Sequence, residues 1–336
     1  MRNQLSFAAT AITSALAMGA AGLCGAQTTT STGLGHTYPS KPVRIIVPFA
    51  PGGPNDVIAR IVGQKLGELW GHTFLIENRG GAGGTIGVDA GLKSAPDGYT
   101  LIMGGSSNLA VAPSLYAKLP YDPLRDIAPV SNCAFVPYVV TVNPRVPAKT
   151  MKELVAIAKT KPAYLSYGSS GTGSMSSLAA ELINSTMGTQ IVHVPYKGTA
   201  PSVTDMIAGQ IDMMVADLSA VAPHVKSGKL RMIATAGSKR TRGAPELPTV
   251  AESGYPGYAI DAWFGIIAPA KTPQDIVAKV SAAVVNVMKM SDVRNRFEQL
   301  GYDPIGDSAA EFGATIRADI EKFARVIKAA GIKADL

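Results

Sequence analysis

Two segments of the sequence combine residue types that bind anions through the backbone: VRIIVPFAPGGPNDVIAR, from Val43, and AYLSYGSSGTGSMSSLAAEL, from Ala163. Each pattern predicts a strand, a glycine-rich turn and a helix. At such a junction the first N–H groups of the helix lack partners within it, and the positive end of the helix dipole points the same way. An anion can therefore bind there without a cationic side chain. The second loop adds hydroxyl donors at Ser169, Ser170, Thr172 and Ser174.

One glycine-rich loop alone could equally be an ordinary tight turn, but two loops in separate halves of the chain favour a binding function. Neither loop carries a nucleotide motif. No predicted strand is followed by the dinucleotide-binding pattern G-x-G-x-x-G. A phosphate-binding loop ends in Gly-Lys-Ser or Gly-Lys-Thr, whereas Lys197, Gly198 and Thr199 stand in a different order. We therefore expect a small anion rather than a nucleotide.

Catalytic and metal chemistry find little support in the side-chain pattern. The four histidines, His36, His72, His193 and His224, show no ligand spacing with one another or with Cys133. The chain lacks a G-x-S-x-G elbow, and the pattern offers no histidine as a base beside a serine. We interpret His193 as structural and expect a protein that is not an enzyme, with no cofactor and no metal. A hydrolase or transferase that uses the serine-rich loop is the alternative.

Two acidic residues lie near the predicted loops. Asp56 falls in the first turn of a predicted helix, where a carboxylate complements the helix dipole. Asp217 follows a predicted strand, at the end where ligand sites of α/β proteins gather. Asp217 could meet a ligand or could cap the next segment, and the sequence leaves both readings open.

Along the chain, short apolar segments alternate with segments whose apolar residues have helical spacing. This alternation of strands and helices predicts an α/β fold with a parallel sheet, which would position the two loops. Strands are expected over 43–49, 73–77 and 99–103, and helices over 55–69 and 85–95. A second unit begins near residue 136, and two late helices, over 273–289 and 309–330, are expected to pack back onto the first unit. We thus predict a discontinuous lobe 1, over 38–130 and 260–336, and an inserted lobe 2, over 131–259.

The N-terminal residues predict export. Residues 1–26 have the charge, apolar stretch and small terminal residues of a signal peptide, with cleavage after Ala26. Lipid attachment at Cys24 is the alternative. Residues 27–37 are rich in Thr, Ser and Gly and predict a flexible N-terminus. Cleavage leaves Cys133 as the one cysteine, which excludes an internal disulfide and fits a periplasm-like compartment. The net charge of +7 is scattered, which argues against nucleic acid as a partner.

Several stretches together resemble the substrate-binding receptors of tripartite tricarboxylate transporters, the Bug receptors. They include YPSKPVRIIVPFAPGGPNDVIAR, ENRGGAGGTIGVDA, YGSSGTGSMSSLAAEL, VPYKGTAPSVTDMIAGQID and LPTVAESGYPGY, in family order. The resemblance implies a periplasmic-binding-protein fold of two α/β lobes, a carboxylate ligand in the cleft and membrane transporter subunits as partners. We expect a monomer located in the periplasm.

Carried onto this sequence, the resemblance implies ligand contacts from both lobes. The first lobe would supply Phe49, Gly53, Asn55, Asp56, Ser106, Ser107 and Asn108, and the second Ser169, Thr172, Gly173, Ser174, Tyr196, Gly198 and Asp217. The ligand could be a dicarboxylate, a tricarboxylate or an aromatic carboxylate. A subunit that reports ligand occupancy to a signalling protein would use the same fold, and neighbouring genes for membrane subunits would favour transport instead.

Overall fold

The apolar runs pair into two separate sheets with helices packed on their faces. The computed structural model describes residues 38–332, so the predicted signal peptide, the predicted flexible N-terminus and Cys24 lie outside the described residues. The strands are β1 (Val43–Val47), β2 (Phe74–Asn78), β3 (Thr100–Gly105), β4 (Ile127–Val136), β5 (Tyr138–Val142), β6 (Ser166–Ser169), β7 (Val192–Pro195), β8 (Met213–Asp217), β9 (Arg231–Thr235), β10 (Ala262–Pro269) and β11 (Asp303–Pro304).

Helices connect the strands in both halves of the chain. They are α1 (Pro54–Trp70), α2 (Thr85–Leu92), α3 (Ala112–Leu115), α4 (Met151–Thr160), α5 (Met175–Met187), α6 (Thr199–Ile207), α7 (Leu218–Lys226), α8 (Gln274–Lys289), α9 (Ser291–Gln299) and α10 (Ala309–Ala330). A 3-10 turn covers Ala82–Gly84 and a π-helical turn covers Ser107–Val111.

The first sheet has the strand order β11-β4-β10-β3-β1-β2, and the second has β7-β6-β8-β5-β9. We call each sheet with its helices a lobe. Central strands are apolar on both faces because helices cover both: Ile45, Ile46 and Val47 of β1 are completely buried. The two α/β lobes of the predicted fold class are present.

The expectation of a parallel sheet is wrong in part, because each sheet is mixed. Strand β1 runs parallel to β2 and β3, and β6 runs parallel to β7 and β8. In contrast, β10 is antiparallel to β3 and β4, and β5 is antiparallel to β8 and β9. A helix that crosses the face of a sheet joins two parallel strands. The chain instead enters β5 and β10 directly from the other lobe, so these two strands can be antiparallel to their neighbours.

The chain passes from one lobe to the other beside its own return path. Only Pro137 separates β4 from β5, and Val136 of β4 pairs with Ala262 of β10, where the chain comes back. The predicted lobe boundary between residues 130 and 131 falls inside β4, which lies in the first sheet.

The late helices lie on the first sheet, where α8 and α10 contact β4. Trp263 of β10 donates its indole N–H to Asp319 of α10 at 2.7 Å and meets Phe312 edge to face. The ends of α10 follow from its sequence, because Ser308 and Glu311 form a capping box and Gly331 ends the helix in a left-handed conformation.

Candidate functional site

A small cavity lies between the lobes, at the ends of the two glycine-rich loops. Larger hollows lie elsewhere on the protein; one of them reaches Gly52 of the first loop, whereas two others join neither loop. The cavity is lined by Phe49, Gly53, Pro54, Asn55, Ser107, Tyr138, Ser170, Met175, Thr199 and Phe264.

The N-termini of three helices meet at this cavity. Gly53 is the N-cap of α1, Met175 is the first residue of α5, and Thr199 is the first residue of α6. Unpaired N–H groups and the positive ends of three dipoles thus converge on one space. None of the ten lining residues is charged, so the arrangement suits an anion that is held by backbone dipoles and hydroxyl groups.

Four of the first-lobe residues implied by the resemblance line the cavity: Phe49, Gly53, Asn55 and Ser107. Asn55 is 3% exposed, and its amide nitrogen lies 3.4 Å from the carbonyl oxygen of Met103. Ser106 and Asn108 are buried beside them in the turn after β3. The side chain of Asn108 accepts the N–H of Gly105 at 3.0 Å and so fixes the turn that presents Ser107.

Asp56 lies behind the first loop, away from the lining. Its carboxylate accepts hydrogen bonds from the N–H of Gly52 at 3.0 Å, from Arg60 at 2.9 Å and from Asn78 at 3.0 Å. Burial alone would raise the pKa of Asp56, but these hydrogen bonds and the nearby Arg60 charge outweigh it and lower the pKa below its usual value. The carboxylate thus holds the glycine turn in place.

In the second loop the predicted residues mostly shape the backbone around the lining residue Ser170. Ser174 is the N-cap of α5, where its hydroxyl accepts the N–H of Ser177 at 3.2 Å. The carbonyl of Thr172 accepts a hydrogen bond from Tyr116 of the first lobe at 2.9 Å, and Gly173 packs against the ring of that tyrosine.

Tyr196 and Gly198 stand at the start of α6, next to the lining residue Thr199. The hydroxyl of Tyr196 donates to Asp205 at 2.7 Å, so it is used inside the second lobe. Gly198 is the N-cap of α6 and faces Ala50 of the first lobe. Both residues therefore set the position of Thr199.

Asp217 caps a helix, which is one of the two readings that the sequence left open. One carboxyl oxygen accepts the N–H of Ala220 at 3.0 Å and the hydroxyl of Ser219 at 2.8 Å, at the start of α7. Asp217 is 1% exposed, and burial raises the pKa of its carboxyl. It does not belong to the cavity lining, so a direct contact with a ligand remains a prediction.

The expectation that no histidine stands beside a serine is wrong. His193 Nε2 lies 2.7 Å from Ser169 Oγ, because β6 and β7 pair in parallel, and the imidazole stacks on Tyr167. Ser169 is nevertheless completely buried, its hydroxyl also accepts the N–H of Gly171, and it does not line the cavity. Burial lowers the pKa of His193. The serine hydroxyl is therefore shielded from solvent in the observed arrangement.

Six lining residues are not among the contacts that the resemblance implies: Pro54, Tyr138, Ser170, Met175, Thr199 and Phe264. Ser170 is among the hydroxyl donors that the sequence pattern indicates. Pro54, Met175 and Thr199 adjoin predicted contacts, so the glycine-rich pattern could have yielded them as well. Tyr138 and Phe264 lie on the strands that connect the lobes, far from either loop in sequence. No local signal marks them.

Residues 38–332 offer neither a metal cluster nor a membrane-spanning helix. No three His, Cys, Asp or Glu side chains there are grouped so that they could hold a metal ion. Within the same range, no helix has both the length and the apolar character needed to cross a membrane.

Comparison with known proteins places these features in a family. Residues 58–332 match the family described as tripartite tricarboxylate transporter family receptor. Among solved structures, the chain is similar to an R. palustris protein solved with adipate, at 34% identity and a TM-score of 0.85, over 88% of this chain and 99% of that one.

Two other solved structures are similar over nearly their whole length. The periplasmic binding protein BugD shares 32% identity with a TM-score of 0.85, over 88% of this chain and 99% of its own. MatC from Rhodopseudomonas palustris, solved with bound malate, shares 32% identity with a TM-score of 0.83, over 86% of this chain and 100% of its own.

Proposed function

The chain belongs to the tripartite tricarboxylate transporter family of receptors, and we propose that it captures a small dicarboxylate between its lobes for such a transporter. The observation that carries the proposal is the cavity on which the N-termini of α1, α5 and α6 converge without a charged side chain. A carboxylate there gains from several preorganised N–H and hydroxyl donors and needs no cation.

Both lobes contribute to the proposed site. We propose that Gly53, Asn55 and Ser107 hold the ligand from the first lobe, and Ser170 and Thr199 from the second, between the apolar walls of the cavity. The other predicted residues, Asp56, Ser106, Asn108, Ser169, Thr172, Gly173, Ser174, Tyr196, Gly198 and Asp217, position these donors. Closure of two lobes around a ligand is the usual way in which such a site excludes water.

The proposed ligand class rests on the relatives together with the cavity. Adipate and malate, which are bound in two similar proteins, are both linear dicarboxylates. A linear dicarboxylate can reach donors of both lobes at once, whereas a monocarboxylate leaves one set of donors to water. We propose a linear dicarboxylate over a tricarboxylate because the ligands named for both of these relatives are linear dicarboxylates.

We propose that the protein performs no catalysis and uses no cofactor, although Ser169 and His193 form a hydrogen-bonded pair. A nucleophilic serine needs an open path to its substrate, and this one is buried. Incubation with p-nitrophenyl acetate is expected to give no turnover above that of a Ser169→Ala variant. Turnover that the substitution abolishes would establish the hydrolase alternative.

The remaining proposals concern the protein in its cell. We propose that residues 1–26 are removed as a signal peptide, that the mature chain is a periplasmic monomer, and that its partners are the membrane subunits of the transporter. We further propose that residues 38–136 and 260–332 belong to one lobe and 138–259 to the other. The membership of β4 in the first sheet supports a crossing at Pro137.

A panel of carboxylates tests the proposed function. Thermal unfolding is followed with adipate, L-malate, citrate and benzoate, with adipamide as the uncharged analogue of adipate. A ligand at 100 times its dissociation constant stabilises the folded protein by about 2.7 kcal/mol. We expect at least one dicarboxylate to raise the melting temperature while adipamide does not, followed by titration calorimetry of that ligand. Equal shifts for adipate and adipamide would contradict an anion site.

A further inference from the structure

The glycine-rich segment 80–84 is the third such loop in the sequence, and its role is not explained by ligand contacts. It belongs to the first lobe, between β2 and α2, but it lies against the second lobe. A Cβ atom added at Gly83 would lie 2.8 Å from the carbonyl carbon of Gly173 and 2.8 Å from the carbonyl oxygen of Thr172. The backbones of the two lobes therefore meet at a distance that only glycine permits.

Neighbouring contacts across the lobes are similarly close. A Cβ atom at Gly80 would lie 3.2 Å from the carbonyl oxygen of Lys197, and one at Gly198 would lie 2.8 Å from the Cβ of Ala50. The N–H of Ala50 donates to the carbonyl of Lys197 at 3.2 Å. Because these contacts involve main-chain atoms and small side chains, the surfaces cannot yield by changing a rotamer.

The backbone of residues 80–84 also has an unusual conformation. Four successive residues have positive φ angles: Gly81 at 140°, Ala82 at 46°, Gly83 at 60° and Gly84 at 95°. Alanine adopts such a conformation only at a cost in free energy, which the surrounding structure must offset. The strained turn brings the Cα of Gly83 up to the loop that precedes α5.

We propose that residues 80–84 form the closure surface of the first lobe, and that the missing Cβ of Gly83 sets how far the lobes can close. This inference rests on the proposed function, since it assumes that closure forms the site. The loop that Gly83 touches, residues 171–174, leads directly into α5, whose N-terminus lines the cavity. A closure stopped early at Gly83 leaves the donors of the two lobes too far apart to share one ligand.

Gly83→Ala tests the closure surface, and Gly71→Ala is the matched control. Both glycines have similar positive φ angles, 60° and 68°, so the strain of adding a side chain is alike. At Gly71, however, nothing lies within 4 Å of the added Cβ. A difference between the variants therefore reports the contact across the lobes and not the backbone conformation.

A disulfide between the lobes measures closure without any ligand. A Cβ added at Gly53 would lie 3.9 Å from the Cβ of Thr199, within the range that a disulfide requires. Gly53→Cys and Thr199→Cys are introduced together with Cys24→Ser. The remaining Cys133 is completely buried, and burial raises the pKa of its thiol to about 12, so it does not compete.

We expect the paired cysteines to oxidise readily in the parent and with Gly71→Ala, and about tenfold or more slowly with Gly83→Ala, because the closed fraction falls. In chains without the added cysteines, we expect Gly83→Ala to weaken adipate binding about tenfold or more and Gly71→Ala to leave it unchanged. Equal oxidation rates for the two glycine variants, or a parent that does not cross-link, would overturn the inference. Failure of adipate to bind the unaltered protein counts against the proposed function alone, since the cross-link needs no ligand.

Discussion

Gly53 offers the sharpest test of the proposed site, because it lies where α1 begins and where the second lobe comes closest to that helix. Its φ of −87° is open to any residue, so substitution there introduces no backbone strain. An added Cβ would lie 3.6 Å from the hydroxyl oxygen and 3.9 Å from the Cβ of Thr199, which is ordinary contact. Alanine therefore fits the closed form.

Valine does not fit in the same way. Its two γ carbons extend about 1.5 Å beyond the Cβ in staggered directions and fill the space in which the proposed ligand lies. Overpacking of a close contact costs about 1–3 kcal/mol, and each 1.4 kcal/mol is a factor of ten in affinity. We therefore expect Gly53→Val to weaken dicarboxylate binding by about 5- to 150-fold, and Gly53→Ala to weaken it much less.

Titration calorimetry with the dicarboxylate from the panel measures the affinity of both variants, and urea unfolding measures their stability. Alanine and valine are both poorer N-cap residues than glycine, so the loss of the cap is common to the two and cancels in their comparison. The two variants should differ strongly in affinity and little in the free energy of unfolding. A valine variant that binds as tightly as the alanine variant would refute the site between Gly53 and Thr199.

Four further outcomes are expected. Ser174→Ala should lower the free energy of unfolding by about 0.5–2 kcal/mol, because its hydroxyl caps α5, with a smaller effect on dicarboxylate affinity in calorimetry; an unchanged unfolding free energy would contradict the cap. Burial raises the pKa of Asp217 above its unfolded value of about 3.9, so its contribution to stability is complete below about pH 4 and is lost as the pH rises through the folded pKa. The Asp217→Asn variant keeps an oxygen that accepts the N–H of Ala220 but cannot ionise. Its free energy of unfolding in urea, relative to that of the unaltered protein, should therefore increase between about pH 4 and 8. A difference that does not change with pH would refute the raised pKa of Asp217. Dicarboxylate affinity should be the same with and without EDTA, and a loss that Mg²⁺ or Ca²⁺ restores would show a metal site. Mass spectrometry of the exported protein should find Gln27 as the first residue, and a lipid on Cys24 would contradict this.

Helices with clear end signals could be predicted from the sequence, whereas those with mixed signals could not. The bounds of α5 follow from Ser174 at its start and Gly188 at its end, and those of α10 from Ser308 and Gly331. In contrast, α7 contains Pro223, which argues against a helix interior. Strand β4 includes Pro129, Ser131 and Asn132, and these residues obscure its pattern even though Ser131 and Asn132 are completely buried.

The candidate site shows the same division. Its two loops could be recognised because glycine, serine and helical spacing occur together in short segments. Tyr138 and Phe264 reach the cavity only because the strands that carry them join the lobes, and this depends on sheet packing that no local pattern encodes. The contact between Ser169 and His193 likewise depends on the register of two strands that are distant in sequence.

The pairing of Val136 with Ala262 has a consequence for how this architecture can change over time. Because the outgoing and returning strands are neighbours in one sheet, the second lobe leaves and rejoins the first at nearly the same point. Strands in a sheet lie about 4.8 Å apart, so a short turn could connect the same two positions. The second lobe is thus a long insertion in a hairpin, and its exchange for a lobe from a relative leaves the sheet of the first lobe intact. Recombination at this point would replace the cavity wall of the second lobe, which includes Ser170, Met175 and Thr199. The cavity wall of the first lobe would keep its sequence.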